Sequence, residues 1–561
     1  MKNMSKSGNS NPLIKKLDEL SSNKLLKLSI YASSLIFFFA LILFPPLIGI
    51  IENLGYINIL IYESYLMSRA NFAILQSFVM AFIVSTLDLI AALPLAWFIA
   101  RSKSRAAHFV DALVDIPFLM PTAALGYSIL LFWCSERGLS SLFGAGSLIS
   151  PGFFLVLLLH FAFSYPVIVR VMVGELLSYR EVYEVAARTL GARSWTAVRT
   201  ITLPLLKPGI IASFLLAFAR SLSETGATMM VAGSWENGPV FLYRLMKMTE
   251  AEITSDIKNG MLVYVSSVLL LTSIVVFFII SFLAPKMRFP IKRIFSSVEG
   301  KMSSPIAVKV RNTSSLAIFL LVVIIPSIFV AFPMVEALIS GSLSFVLSGF
   351  SPWGDYWRSM SISYGIGLLA TLLNMIFGLP IAILIARRRL GKATSILRAI
   401  INVPIVVPSI ALGVSLRLFW GKYTSLYDFW ALLLSHATIT YTYFVTSMAA
   451  AIESIPQELE DVASTLGARP FTVFRKVTFP LTKYSVFSGA ILVFTRALGE
   501  TGAARAVVRS RDLWTLPVLL VDWVENKNIA EMQKALGAGV YMLTSFAALL
   551  ALRLVFSVRR K

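Results

Sequence analysis

The sequence predicts an all-α membrane protein of about twelve transmembrane helices arranged as two parallel six-helix repeats. Three observations carry that expectation: an apolar composition, apolar stretches of spanning length, and one long internal repetition. Of 561 residues, 57% are hydrophobic and only 14% charged, with a mean hydropathy of +0.79. A chain of this length built as soluble domains could not cover that apolar mass with a wetted surface. The single cysteine, Cys134, excludes an intramolecular disulfide, and three histidines leave little for a zinc site.

Residues 1–25 are polar and lysine-rich and read as a cytoplasmic N-terminal tail. The apolar run from Leu26 to Ile51 has no small-residue cleavage site and reads as a retained span rather than a signal peptide. Stretches of about twenty apolar residues, enough to cross hydrocarbon, follow near 72–100, 109–133, 152–174, 208–232 and 260–284. A second set lies near 314–339, 360–386, 396–420, 428–452, 484–508 and 535–556. The halves are therefore 26–284 and 314–561, joined by a Lys-, Arg- and Ser-rich segment, 285–313, that reads as a flexible cytoplasmic linker.

Lys and Arg outnumber Asp and Glu by 50 to 29, a net charge of +21. Their placement explains the excess. Arg101, Lys103 and Arg105, then Lys286, Arg288, Lys292 and Arg293, then Arg387, Arg388, Arg389 and Lys392, and finally Arg559, Arg560 and Lys561 fall at alternate span ends. Basic residues at span ends are retained in the cytoplasm, so both termini are expected there. The opposite loop 233–259 mixes the two signs. No compact basic patch with interleaved aromatics occurs, and nucleic acid is not expected as a partner.

The repetition is visible residue by residue. Glu184 to Arg193 (EVAARTLGAR) returns at Glu460 to Arg469 (EDVASTLGAR), 276 positions on. The same offset carries His160 to His436, Pro204 to Pro480, Arg220 to Arg496, and Glu224-Thr225-Gly226-Ala227 to Glu500-Thr501-Gly502-Ala503. Upstream, Pro94 corresponds to Pro380, and Phe132-Trp133 to Phe419-Trp420. An even number of spans per copy relates the two halves by an axis along the membrane normal.

The repeated cytoplasmic loop reads as helix, turn, helix. Ser454 is expected to cap a helix whose first turn holds Pro456, Glu458, Glu460 and Asp461, acids favoured at the positive end of a helix dipole. Gly467 fits the left-handed stop, and Phe471 to Val477 form a second short helix before Pro480. The first copy repeats this with Glu181, Glu184, Gly191, Trp195 to Ile201 and Pro204. Small Ala186, Ala187 and Ala463 on one face suit docking into another protein's groove.

The pattern Glu184, Ala186, Ala187, Leu190, Gly191, with Leu203-Pro204 about a dozen residues later, resembles the cytoplasmic loop of binding-protein-dependent ABC importer permeases. The second copy departs mildly, with Asp461, Val462 and Phe479. The resemblance covers nearly the whole chain, as in fused two-half permeases of the ferric-iron and thiamine group. It implies that each loop supplies a coupling helix, with Glu184, Ala186, Ala187, Gly191, Pro204, Glu460, Ala463, Gly467 and Pro480 as coupling residues. It also implies two partner nucleotide-binding ATPase subunits, an extracytoplasmic solute-binding protein, and a multi-pass place in a prokaryotic plasma membrane. No phosphate-binding Gly-x-x-x-x-Gly-Lys-Ser/Thr occurs, so no cofactor is expected on this chain and ATP with its magnesium belongs to the partner. Transport rather than an enzymatic reaction is expected.

Inside otherwise apolar helices, Arg220 with Glu224 and Arg496 with Glu500 stand at i, i+4. Such residues are costly in lipid unless paired or facing an aqueous path. They read as a pathway or gate, or as bridges that brace helices. Gly226 and Gly502 would let each helix bend or pack closely. Glu224-Thr225-Gly226 and Gly499-Glu500-Thr501-Gly502 are also similar to the Gly-Glu-Phe/Tyr-Gly segment of sulfate, molybdate and tungstate permeases, with Thr replacing the aromatic. The solute stays open between an oxyanion, ferric iron and thiamine. His160 and His436 read as packing residues, no metal site is expected, and Asp88, Asn374 and Asn402 read as polar contacts between helices. Pro117 and Pro121, with Pro404 and Pro408, should kink the third span of each half. The rival from another class is an ion-gradient-driven secondary transporter with Glu224 and Glu500 as proton carriers; such a carrier does not need the hairpins.

Overall fold

The structure, a computed structural model, describes residues 12–144, 146–283, 286, 296–423 and 427–557. Arg288, Lys292, Arg293, Arg559, Arg560 and Lys561, which help to set the expected orientation, lie outside the described residues. Helix is the regular structure among the described residues, as lipid demands of a chain that must satisfy its own backbone.

The first half runs α1 (Pro12–Ser22), α2 (Lys24–Tyr62), α3 (Ser64–Arg101), α4 (Arg105–Leu119), α5 (Thr122–Cys134) and α6 (Phe153–Ser178). It continues through α7 (Val182–Thr189), α8 (Ser194–Leu205), α9 (Lys207–Ser223), α10 (Gly226–Val231), α11 (Gly238–Lys247) and α12 (Ser255–Leu283). Between the halves lies α13 (Ser296–Met302). The second half comprises α14 (Pro305–Ile328), α15 (Trp353–Ala386), α16 (Ala393–Val406), α17 (Ser409–Tyr423) and α18 (Tyr427–Glu453). It ends with α19 (Gln457–Thr465), α20 (Pro470–Leu498), α21 (Gly502–Val507), α22 (Leu516–Glu525) and α23 (Glu531–Ser557).

Among the described residues, eight helices are individually long and apolar enough to span a membrane, and three bent pairs bring the count to as many as eleven. Helix α18, 27 residues long, occupies the repeat position of α6. The third span of each half is broken rather than kinked. α4 meets α5 at 109° and α16 meets α17 at 103°, because Pro121 and Pro408 lack the amide that would continue the ladder and push the preceding residue to extended backbone. Helix α5, with 13 residues, is about 20 Å long, short of a full crossing. The loop expected at 233–259 holds α11, whose Val240, Phe241, Leu242 and Tyr243 are buried.

Each half lends its first helix to the other. Phe37 of α2 stacks on Phe377 at 4.2 Å, and Phe38 lies 5.5 Å from Tyr441. From the second half, Phe319 of α14 stacks on Tyr165 at 5.9 Å, and Ser128 Oγ donates to the Pro326 carbonyl at 2.7 Å. The described part of 285–313, expected as a flexible joint, is α13 and the start of α14. It is ordered by a buried carboxylate, Glu299, whose partners lie in the first hairpin. Likewise α1 occupies part of the expected N-terminal tail. Expected polar contacts between helices are present at equivalent depths: Ser164 Oγ donates to Asp88, and Asn374 Nδ2 donates to Thr440 Oγ1 at 2.8 Å.

Candidate functional site

The two hairpins share one backbone device. After α7, Gly191 takes φ +92°, and after α19, Gly467 takes +85°. In the first copy, Ala192 N–H reaches the Ala187 carbonyl at 3.1 Å and Gly191 N–H the Arg188 carbonyl at 3.0 Å. Ala468 to Ala463 and Gly467 to Ser464 repeat the pattern at 3.1 and 3.0 Å. These paired bonds satisfy the last carbonyls of each helix and require left-handed backbone at the glycine. Ser454 does not cap α19; its hydroxyl bonds back to the Ala451 carbonyl at 2.7 Å. Just before Pro204 and Pro480, both copies pass through one π-helical turn, Val198–Thr202 and Phe474–Thr478.

Glu184 and Glu460 tie each hairpin to the start of the next helix. Thr202 Oγ1 reaches Glu184 at 3.4 Å, and Thr478 Oγ1 reaches Glu460 at 2.8 Å. There the copies diverge. Arg387 forks onto Glu460 at 2.8 and 3.2 Å, whereas Arg101, its counterpart, pairs with Glu181 at 3.0 Å. Burial pushes the Glu184 carboxyl up, with Arg101 opposing. At Glu460 burial pulls the same way, but the bonds from Arg387 and Thr478 outweigh it and hold the carboxyl below its usual range. Ala186 is exposed while Ala187 and Ala463 are half-buried. The outward face is larger and more apolar than alanines alone: Val182, Val185 and Leu190 in one copy, and Leu459, Val462 and Leu466 in the other, are exposed. Leu190 and Leu466, directly before each glycine, could have been found as apolar residues in an otherwise polar loop.

The short helices preceding each half buttress these hairpins crosswise. From α13, Glu299 pairs with Arg199 at 2.7 Å, accepts from Thr196 at 2.8 Å, and Ser303 accepts the Trp195 amide at 3.1 Å. From α1, Asp18 accepts from Thr472 at 2.5 Å and Ser21 accepts the Phe471 amide at 3.1 Å.

At membrane depth, the paired charges do not sit in continuous helices. Helix α9 ends at Ser223 and α20 at Leu498, and Thr225 and Thr501 take non-helical φ of −123° and −122°. Each glutamate then turns onto the next helix. Glu224 accepts from the Ala227 amide at 3.2 Å and Glu500 from the Ala503 amide at 3.1 Å, a carboxylate at a positive helix end. His160 spans the first break, with Nδ1 at 2.7 Å from Ser221 Oγ and Nε2 at 2.9 Å from Thr228 Oγ1. Gly226 and Gly502 meet the other half's break across the pseudo-twofold axis. A Cβ on Gly226 would overlap Thr501, and one on Gly502 would lie 2.8 Å from Thr225 Cβ and 2.5 Å from Ser409 Oγ. Thr122 Oγ1 donates to the Gly499 carbonyl at 2.7 Å, and Ser409 stands 3.4 Å from Thr225. Thr122 and Ser409, missed from sequence, each follow the second proline of the paired-proline motifs.

Beside this junction lies a cavity of about 300 Å³ lined by both Arg220 and Arg496, with Thr122, Thr495, Tyr443 and Gly499. Arg496 pairs with Glu500 at 3.1 Å. Arg220 lies over the Phe163 ring, 5.3 Å from its centroid, and among the described residues it has no ion pair. Beyond the junction, the far ends of α11 and α22 meet where Lys247 pairs with Glu525. Tyr243 donates to the same carboxylate at 2.9 Å.

The profile of the family described as binding-protein-dependent transport system inner membrane component matches residues 92–289 and again 378–560. The molybdenum transport system permease protein ModB of Mycobacterium tuberculosis is 30% identical over 205 residues, covering 33% of this chain and 74% of that protein. The sulfate transport system permease protein CysT of Salmonella typhimurium is 32% identical over 198 residues, 35% of this chain and 71% of that protein. ModB of Escherichia coli K12 is 31% identical over 161 residues, 26% of this chain and 69% of that protein. With two matches that together span most of the chain, one over each set of hairpin, broken helix and cavity-lining arginine, this protein belongs to the inner-membrane permeases of binding-protein-dependent ABC importers.

Proposed function

We propose that this chain is the membrane-spanning permease subunit of an ATP-driven importer for an inorganic oxyanion of the sulfate or molybdate class. The observation that carries the solute class is the cavity at the junction of the halves, lined by two guanidinium groups. Such a wall attracts an anion and repels ferric iron or the thiamine cation. The names of the relatives, molybdenum and sulfate permeases, agree.

Two separate ATPase subunits seat on α7 and α19, whose exposed Val and Leu side chains supply the apolar face and whose glycine stops set its shape. ATP and magnesium stay on those subunits. A solute-binding protein delivers the anion at the opposite end, near Lys247 and Glu525. Both termini and both hairpins then face the cytoplasm of a prokaryotic cell. ATP-driven closure of the partners draws the hairpins together and rocks the halves, opening the threonine-glycine junction to the outer side. Coupling requires hairpin contacts that differ between the ATP-bound and released states.

Membrane vesicles holding the full complex should take up sulfate or molybdate only with internal ATP, and uptake should survive collapse of the proton gradient. Uptake by this chain alone in liposomes, driven by a pH gradient, would select a secondary transporter instead.

A further inference from the structure

The two arginines that line the central cavity occupy equivalent positions, 276 residues apart, yet their surroundings have diverged. Arg496 is held by Glu500 at 3.1 Å, and its side chain is 9% exposed. In the first half, Glu224 carries its carboxylate to the Ala227 amide, and no ion pair joins it to Arg220. Arg220 rests on Phe163 instead. The residue equivalent to Phe163 in the second half is Ile439, which offers no ring face, and there the arginine faces its own glutamate instead.

An arginine over an aromatic face is positioned while its planar fork stays free of any carboxylate. An arginine already facing a carboxylate has its charge neutralised locally. Arg220 and Arg496 are each partly exposed within otherwise buried stretches, 217 to 231 and 493 to 504, and both line the cavity, so what differs between them is the partner each one has.

We infer that the duplicated pair has split its roles: Arg220 is the specificity-determining cation that binds the passing oxyanion, and Arg496 with Glu500 is a positioning bridge that holds the second wall of the cavity. The assignment rests on the importer reading and deepens it. Tetrahedral oxyanions suit a guanidinium fork, which offers two parallel N–H donors to two oxygens, and the hydroxyls of Thr122 and Thr495 line the same cavity.

The test is uptake of sulfate and of molybdate by vesicles carrying the full complex, beside thermal stability of the purified complex. Arg220→Gln should lower uptake by about tenfold or more, as expected for loss of a hydrogen bond to a charged group, without a fall in melting temperature. Arg496→Gln should lower the melting temperature by stranding Glu500, and Arg496→Gln with Glu500→Gln should recover both stability and most uptake. As a readout independent of folding, Arg220→Cys in a Cys134→Ser background should regain uptake when a 2-aminoethyl thiol reagent restores a cation, while Arg496→Cys should not. Full uptake by Arg220→Gln, or equal loss in the stable double variant, would overturn the assignment of Arg220. A wild-type complex that takes up neither anion would overturn the oxyanion reading itself.

Discussion

Gly502→Ala probes the junction where the two halves touch. The added Cβ would lie 2.5 Å from Ser409 Oγ and 2.8 Å from Thr225 Cβ, against ordinary contact from 3.4 Å, so the opposing half must retreat by about 0.6 Å or the helices must shift. Overpacking of this kind costs about 1–3 kcal/mol. The substitution also removes a glycine from a helix, which by itself stabilises by about 0.4–1 kcal/mol, so the net effect is a loss of roughly 1–2 kcal/mol. That corresponds to about fivefold to thirtyfold in the equilibrium between the packed junction and an opened one. The assay is the melting temperature of the purified complex together with ATP hydrolysed per solute imported. Gly502→Ala should lower the first and raise the second. Thr225→Gly in the same chain should recover part of the loss, because it removes the cross-half overlap and leaves the one with Ser409 Oγ of the same half. Gly365→Ala is the control: nothing lies within 4 Å of that site, and it should be neutral or stabilising. A Gly502→Ala protein as stable and as tightly coupled as wild type, or no recovery with Thr225→Gly, would refute a packed gate at this junction.

Gly191→Val with Gly467→Val should distort both hairpins, since a β-branched residue in left-handed backbone costs about 1–3 kcal/mol; co-purification of the ATPase and uptake should fall while membrane insertion stays normal. Glu299→Gln should destabilise the first hairpin, because breaking a buried ion pair costs about 3–5 kcal/mol and the Arg199 and Glu299 side chains are only 10% and 6% exposed; Arg199→Met with Glu299→Leu should recover melting temperature, and unchanged stability in the single variant would remove α13 as a buttress. The two hairpins should respond oppositely to acid. Glu460, held below its usual range, contributes stability above the unfolded carboxyl value near pH 4.3 that is lost as pH falls further. Glu184, pushed up, is relieved on protonation, so hydrogen-exchange protection corrected for intrinsic rate should fall below about pH 4 in α19 and hold or rise in α7, and Glu460→Gln should abolish the loss in α19.

Much of this protein is written in its local sequence, because lipid leaves few solutions for an apolar chain. The helical class, the spanning stretches and the duplicated loop follow from composition and repetition, and the left-handed stops at Gly191 and Gly467 follow from residue chemistry that needs no partner. Other features required the packed structure. Proline spacing announced a kink in the third spans, but only packing turned it into a break of more than 100°. The i, i+4 spacing of Arg220 and Glu224 suggested a bridge on one helix, yet the helix stops between them because Glu224 finds a free amide on α10. Nothing local to α2 or α14 says that each packs on the opposite half, nor that Glu299 and Asp18 reach across to the hairpins, because an apolar helix face specifies burial and not the partner that buries it. The same holds for the cavity: two arginines far apart in sequence become one electrostatic site only when a pseudo-twofold axis brings them to a common wall.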